Sequence, residues 1–267
     1  MKTQTAVVTG AGRGLGRLIA QGLAGKGYAV LVTDVDAASA EATAAAIGGG
    51  AWAVHQDVRD ADSHRRVAAA AAERGELAIW VNNAGVLRSA TAWDEPDEDV
   101  RLQIEVNVLG LMWGARAAVD VMRRQGKGHI INIASISSLV PAPGLAVYGA
   151  SKHAVLGYSI SLAGDLKHAG IPIHVSAICP DAIDTDMTRT VKGDRDAALL
   201  FSASKLLRAE DVASEVMALV DSPRLVVIRP RVRGALAHIF RPFPGVGLRM
   251  LEQFRKLGER HQRRDAP

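Results

Sequence analysis

Seven short apolar runs, each closed by turn residues, recur along the chain at residues 5–8, 29–33, 51–55, 78–81, 129–133, 174–178 and 225–228. Several are almost continuous in Val and Ile, the pattern of strands buried on both faces. The longer stretches between them carry the helical period. Residues 38–47 and 64–74 are alanine-rich. Residues 97–125 form one long amphipathic pattern, introduced by Asp94-Glu95-Pro96, with acids in its first turn, and stopped by Gly126. Residues 147–169 form another, stopped by Gly170 and Pro172. Strands and helices alternating over seven strands predict an α/β protein, a doubly wound parallel sheet with helices on both faces.

The turn after the first run reads Thr9-Gly10-Ala11-Gly12-Arg13-Gly14-Leu15-Gly16 and opens a helix. Glycines here permit a tight turn and let backbone N–H groups approach a pyrophosphate at the helix N-terminus. Asp34 lies 18 residues after Gly16, at the end of the second run, near the spacing of a carboxylate that accepts from a ribose 2′-hydroxyl. The glycines are spaced G-x-x-x-G-x-G. With that spacing the chain resembles the short-chain dehydrogenase/reductase family, from about residue 5 to 228, and further motifs carry the likeness. They are Asp57-Val58, Asn82-Asn83-Ala84-Gly85, Asn107 in Glu105-Val106-Asn107-Val108, Ser135, and Tyr148-Gly149-Ala150-Ser151-Lys152 with Ser135 thirteen residues upstream of Tyr148.

The resemblance implies a Rossmann-like fold and a nicotinamide cofactor. It implies that Gly10, Arg13, Gly14, Leu15 and Gly16 serve the phosphates, and that Asp57 and Val58 contact the adenine. It places Asn83, Ala84 and Gly85 along the cofactor, and has Pro180, Ile183 and Thr185 hold the nicotinamide carboxamide. Tyr148 and Lys152, four apart on one helix, share a face. A tyrosine of ordinary pKa, about 10, is a poor base at neutral pH, and a nearby ammonium favours its phenolate. Tyr148 is therefore expected to exchange a proton with an alcohol oxygen that Ser135 orients. By resemblance, Lys152 also holds the nicotinamide ribose and Asn107 supports a water relay behind it. Asp34 would repel a 2′-phosphate, so NAD is expected over NADP. Arg13 argues the other way, unless it serves the phosphates or pairs with a neighbouring acid.

Composition narrows the alternatives. The 267 residues are 48% apolar and 22% charged, which fits a soluble globular protein, and 4% aromatic, too few for a nucleic-acid stacking platform. The lone Cys179 excludes a disulfide framework or a Cys-based zinc site. No two of the eight histidines stand four apart, and no metal is expected. The acidic run 94–99 reads as a solvated loop and helix N-terminus. The first residues run straight into a strand, and no apolar run of about 18 residues occurs. A cytoplasmic protein is expected.

Two regions bear on the substrate. Residues 186–208 carry Met187, Leu199, Leu200, Phe201, Leu206 and Leu207 and by family analogy cover it. Leu139, Val140, Pro141 and Leu145 are expected to form the opposite wall. Apolar walls suit a lipophilic alcohol. Most relatives read Pro-Gly where this chain has Pro180-Asp181, a position at which a positive φ would favour glycine. Residues 229–267 form a basic extension of the 1–228 catalytic body, with 11 Lys/Arg against 3 acids from Arg224 onward. Leu248, Leu251, Phe254 and Leu257 recur there at helical spacing after Pro242-Phe243-Pro244. Three readings stand: packing over the cleft or a second subunit, peripheral contact with an anionic membrane, and nucleic-acid binding, which is not expected because no recognition motif accompanies it.

The tail, the Pro-Asp variant and the strand-five region together resemble the branch acting on retinoids, steroids and other lipophilic alcohols. The sequence thus points to an NAD-dependent dehydrogenase of a lipophilic secondary alcohol, working as a homodimer or homotetramer through the helices at 97–125 and 147–169. An NADPH-dependent carbonyl or 3-oxoacyl reductase and a non-catalytic nucleotide-binding regulator are the competing readings.

Overall fold

Each of the seven apolar runs becomes a strand: β1 (Gln4–Thr9), β2 (Ala29–Asp34), β3 (Trp52–His55), β4 (Glu76–Asn82), β5 (Gly128–Ile133), β6 (Ile173–Pro180) and β7 (Val226–Arg229). In the computed structural model, which describes residues 3–203, 205–240 and 244–264, they form one parallel sheet in the order β3-β2-β1-β4-β5-β6-β7. The helices are α1 (Gly14–Gly25), α2 (Ala37–Ile47), α3 (Ala61–Arg74), α4 (Asp97–Ile104), α5 (Leu111–Gln125), α6 (Ala146–His168), α7 (Asp186–Thr190), α8 (Ala209–Asp221), α9 (Arg231–Phe240) and α10 (Pro244–Arg264). Residues 242 and 243 of the Pro-Phe-Pro segment lie outside the described residues.

Both faces of the sheet are covered, which is why its strands need no polar face. Ala6 and Val8 of β1 point to one side and meet Ile19 and Leu23 of α1 and Val216 and Leu219 of α8. Val7 points to the other, among Val67 of α3, Met122 of α5 and Leu166 of α6. The strand order reverses between β1 and β4, so a crevice opens at their carboxyl ends, the usual ligand position in such sheets.

The helix expected over 97–125 is not uniform. Between α4 and α5 the chain makes a π-helical turn, Glu105–Gly110. Such a turn inserts a residue and re-aims side chains, and Asn107 sits inside it, 1% exposed. The helix ends follow the sequence more closely. Gly126 takes a left-handed conformation after α5, and Gly170 a positive φ just after α6.

Candidate active site

Loops at the carboxyl ends of β1, β2, β4, β5 and β6 converge on the crevice. Gly14 opens α1 with φ +54, a conformation L side chains rarely adopt, and a Cβ there would point across the crevice to within 3.9 Å of Thr185 Cγ2. Gly14 and Thr185 thus face each other over one gap. The turn is braced by Asn83, whose Nδ2 donates to the carbonyls of Thr9 and Gly10, both at 2.9 Å. Thr9 Oγ1 accepts from the N–H groups of Asn83 and Ala84 at 3.0 and 3.1 Å.

Asp34 Oδ2 accepts the Gly12 N–H at 2.9 Å and Oδ1 the Asp36 N–H at 3.1 Å, which sets its carboxylate under the glycine turn. Arg13, exposed at the start of α1, lies near enough to Asp36 to help hold that carboxyl below the usual range, behind the stronger Ser39 hydrogen bonds. Asp57 reaches the rim, but its carboxylate is forked by Arg59. The Val58 side chain is buried beside Gly110.

On the other side of the crevice Ser135 caps the 3-10 turn Ile136–Ser138. Its Oγ accepts the Ser137 N–H at 3.2 Å, and Ser138 Oγ accepts the Ser135 N–H at 3.3 Å, which fixes its rotamer. Tyr148 and Lys152 enter from α6, with Lys152 Nζ 5.7 Å from the centre of the Tyr148 ring. Lys152 Nζ donates to the Ile133 carbonyl at 3.0 Å. Asn107 Nδ2 donates to the Val86 carbonyl at 2.9 Å and Ser151 Oγ at 3.1 Å, and its Oδ1 accepts the Val86 N–H at 2.8 Å. The Asn107 side chain is therefore spent on tying the loop after β4 to α6. Ser135, Tyr148, Lys152 and Asn107, expected together from the sequence, come together.

The electrostatics differ from the sequence expectation in one respect. Burial pushes the Tyr148 phenol up to about 12, against a Ser135 hydrogen bond that favours the phenolate. Burial also pushes the Lys152 ammonium down to about 8. Desolvation of both groups outweighs the help a lysine gives its tyrosine. This has a consequence for stability. The unfolded chain holds the lysine proton to about pH 10.5, so between pH 8 and 10.5 it binds more protons than the folded chain and stability rises with pH. Below that window the fold bears the full penalty of a buried charge. Lys152→Met removes the charge and is expected to raise Tm at pH 7, by about 2–4 °C per kcal/mol recovered, with the gain shrinking toward pH 10.5. Thermal scans at several pH values check this; a lower Tm at pH 7 would show that the bond to Ile133 dominates.

The family model for short chain dehydrogenase matches residues 4–196. The chain belongs to the short-chain dehydrogenase/reductase family. It is 36% identical over 231 residues to a 1-deoxy-11-beta-hydroxypentalenate dehydrogenase of Streptomyces exfoliatus, covering 84% of this chain and 82% of the relative. It is 35% identical over 214 residues to the 3-oxoacyl-(acyl-carrier-protein) reductase FabG of Escherichia coli, covering 79% and 87%. A short chain dehydrogenase/reductase from Burkholderia phymatum, solved in complex with NAD, superposes with a TM-score of 0.81 at 28% identity, covering 88% of this chain and 92% of that one. The protein is thus an oxidoreductase acting on CH–OH groups with a nicotinamide cofactor.

In this short-chain dehydrogenase an apolar cleft open to solvent is lined by Ile136 and Ser137, which follow Ser135, and by Leu145, which packs with Tyr148. Val140, Pro141 and Leu145 form one wall, as expected, and Leu199 and Leu200 another. Leu139 does not; it is core, packed with Val155 and Ala177. Phe201 is buried, Met187 is exposed, and Leu207 packs on the sheet core, while Leu206 is half-buried. Asp181 adopts no positive φ, because no residue other than glycine does among those described. Pro180 pairs with Arg229 of β7, and the Asp181 N–H donates to the Arg229 carbonyl at 2.7 Å. The Ile183 carbonyl accepts the Thr188 hydroxyl at 2.6 Å, and Thr185 starts α7. Cys179 is fully buried, as a small apolar residue would be.

The tail lies across this cleft. Of its apolar stripe, Leu251 is buried and Phe254 half-buried at the cleft, whereas Leu248 and Leu257 are exposed. His261 Nδ1 pairs with the Phe201 carbonyl at 2.9 Å, and Gln262 Nε2 donates to the carbonyls of Lys192 and Asp194 at 2.8 and 2.9 Å. Gly258 packs directly on the Ala198 carbonyl, with no room for a side chain. The segment 186–208 is thereby strapped down by α10. Arg233, Met250 and these straps carry no local sequence signal as cleft residues, because their partners lie tens of residues away. Among the described residues no helix is long and apolar enough to cross a membrane.

Proposed function

We propose that this enzyme is an NAD-preferring dehydrogenase that interconverts a lipophilic secondary alcohol and its ketone. The observation that carries this reading is the convergence of Ser135, Tyr148, Lys152 and Asn107, with an apolar cleft next to them whose wall residue Leu145 packs against Tyr148. The residues present fit a dinucleotide. The gap between Gly14 and Thr185 is one that a Cβ would narrow, and the Asp34 carboxylate stands at the end of β2 under the glycine turn. Arg13, Gly14, Leu15 and Gly16 would hold the pyrophosphate at the first turn of α1, and Asp34 the adenosine ribose. Asp57 and Val58 would border the adenine, and Asn83, Ala84 and Gly85 the middle of the molecule. Pro180, Ile183 and Thr185 would meet the carboxamide. The bound nicotinamide supplies the hydride acceptor or donor and, when oxidised, a positive charge.

The chain's own residues supply the rest. Ser135, its rotamer held by the 3-10 turn, donates to the reacting oxygen. Tyr148 takes the proton from that oxygen in oxidation and returns it in reduction. Lys152 stabilises the phenolate and would also hold the ribose of a bound nicotinamide. Asn107 positions Lys152 by holding α6 against the loop after β4. An assembly through α5 and α6 is in keeping with the exposed Gly157, Ile160 and Gly164 on α6. The similarity to a 3-oxoacyl reductase supports an NADPH-dependent reductase as the second reading, and Asp34 opposes it.

A ladder of secondary alcohols of increasing apolar size, each tried with NAD⁺ and NADP⁺, tests the proposal. The value of kcat/KM is expected to climb about four-fold per added methylene until the cleft is full, from about 0.8 kcal/mol per buried CH₂. A preference for short polar diols would sink the lipophilic assignment.

A further inference from the structure

Among the described residues, the guanidinium of Arg233 is the one charged group that α9 brings to the cleft. It is held on three sides. Nη1 donates to Asp181 Oδ2 at 2.5 Å, Nη2 donates to Ser202 Oγ at 2.8 Å, and the guanidinium carbon lies 5.5 Å from the centre of the Phe254 ring. Asp181 and Arg233 are largely shielded, with side chains 10% and 24% exposed. The acid in the loop after β6 is therefore matched by a base from the extension. These bonds use two of the five N–H donors of an arginine. Most of the surrounding wall is apolar, Val140, Leu145, Leu200 and Leu236 among it, and apart from Asp181 and Ser202, already bound to the guanidinium, Ser137 is the remaining lining hydroxyl.

A substrate that fills the cleft displaces water from the remaining donors. If it carries no acceptor there, charged N–H groups are left unpaired, which is the expensive outcome. If it carries an oxygen, they are satisfied by a guanidinium already fixed in place. A substrate carboxylate would meet the negative charge of Asp181, whereas a neutral oxygen would not. We propose that Arg233 is a specificity-determining residue that selects apolar alcohols bearing a second, neutral oxygen function (ketone, ester, ether or hydroxyl) away from the reacting carbon. This rests on the cleft being the substrate site, as read above.

The test is binding rather than turnover. Calorimetry on the protein with reduced dinucleotide, which can neither oxidise an alcohol nor reduce an ether, compares a decalol, its methoxydecalol isomers and a carboxylated decalol. The best methoxydecalol is expected to bind about ten-fold tighter than the decalol, and the acid no tighter than the decalol. In Asp181→Asn/Arg233→Met, which removes both charges together, the preference is expected to vanish. In Arg233→Lys it is expected to fall part-way, and melting curves report the fold of each variant. Equal binding of decalol and methoxydecalol by the wild type, or a preference that survives in the double variant, overturns the role of Arg233. Tightest binding by the acid overturns the neutral-oxygen assignment. Decalol oxidation with NAD⁺, measured alongside, separates the two readings. Turnover without the preference refutes the Arg233 proposal alone, the preference without turnover refutes the dehydrogenase reading alone, and the absence of both refutes both.

Discussion

Tyr148→Phe is expected to lower kcat/KM for alcohol oxidation by about 10³-fold, within the range for loss of a positioned acid–base group, while dinucleotide affinity stays within a small factor of wild type. The phenol is the one hydroxyl on α6 paired with Ser135 and close to an ammonium, and the substitution removes that single oxygen. The ring is buried among Leu87, Ala142 and Leu145, so phenylalanine keeps the packing and the fold. Burial holds the phenol near 12 in the free protein, so oxidation, which needs the phenolate, is expected to speed up as pH rises from 6 toward 8. Lys152 is charged over that range, and its own fall to about 8 ends the rise. Reduction uses the protonated phenol and is expected to show little dependence on pH there. Steady-state rates in both directions across pH check this; equal slopes would contradict the assignment of Tyr148.

The second large effect is expected at Asp34. Asp34→Asn is expected to shift the NADP⁺/NAD⁺ ratio of kcat/KM by about 10²-fold in favour of NADP⁺. Two like charges about 4 Å apart repel by roughly 4 kcal/mol at an effective dielectric constant near 20, and partial exposure reduces that. Asparagine keeps an acceptor oxygen for the Gly12 N–H, so the glycine turn is retained. Arg13 contributes to the gain. Its charge now faces Asp36, and it stands on the glycine turn where a 2′-phosphate would meet it once Asp34 is neutral. Kinetics with both dinucleotides decide the matter, and an unchanged ratio would show that Asp34 does not face the discriminating group.

The strands were legible because burial on both faces leaves a local, continuous apolar signal; each lies within about two residues of its run. The catalytic set was legible for a related reason. Tyr148 and Lys152 are neighbours on one helix, and Ser135 lies a fixed step before them. What the sequence did not show depends on distant partners. The π turn at Asn107 leaves no mark in the hydrophobic period, since one extra residue per turn still alternates apolar and polar. Leu139 and Val140 are adjacent and equally apolar, yet one is core and the other cleft, because the 3-10 turn after Ser135 directs them apart. Asp181 looked like a misplaced glycine. Its conformation needs none, and its partner Arg233 lies 52 positions later. Spacing alone points the Tyr148 shift downward and burial turns it upward, because the nearness of a lysine is local information and the depth of burial is not.

The most direct test of the central claim is the formation of reduced nicotinamide from NAD⁺ and an apolar secondary alcohol, by wild type and Tyr148→Phe, both shown beforehand to bind the dinucleotide. Reduced nicotinamide formed by the wild type and nearly abolished in the variant is the predicted result. Wild-type protein that binds NAD⁺ but oxidises no alcohol, or a variant as fast as wild type, would contradict it.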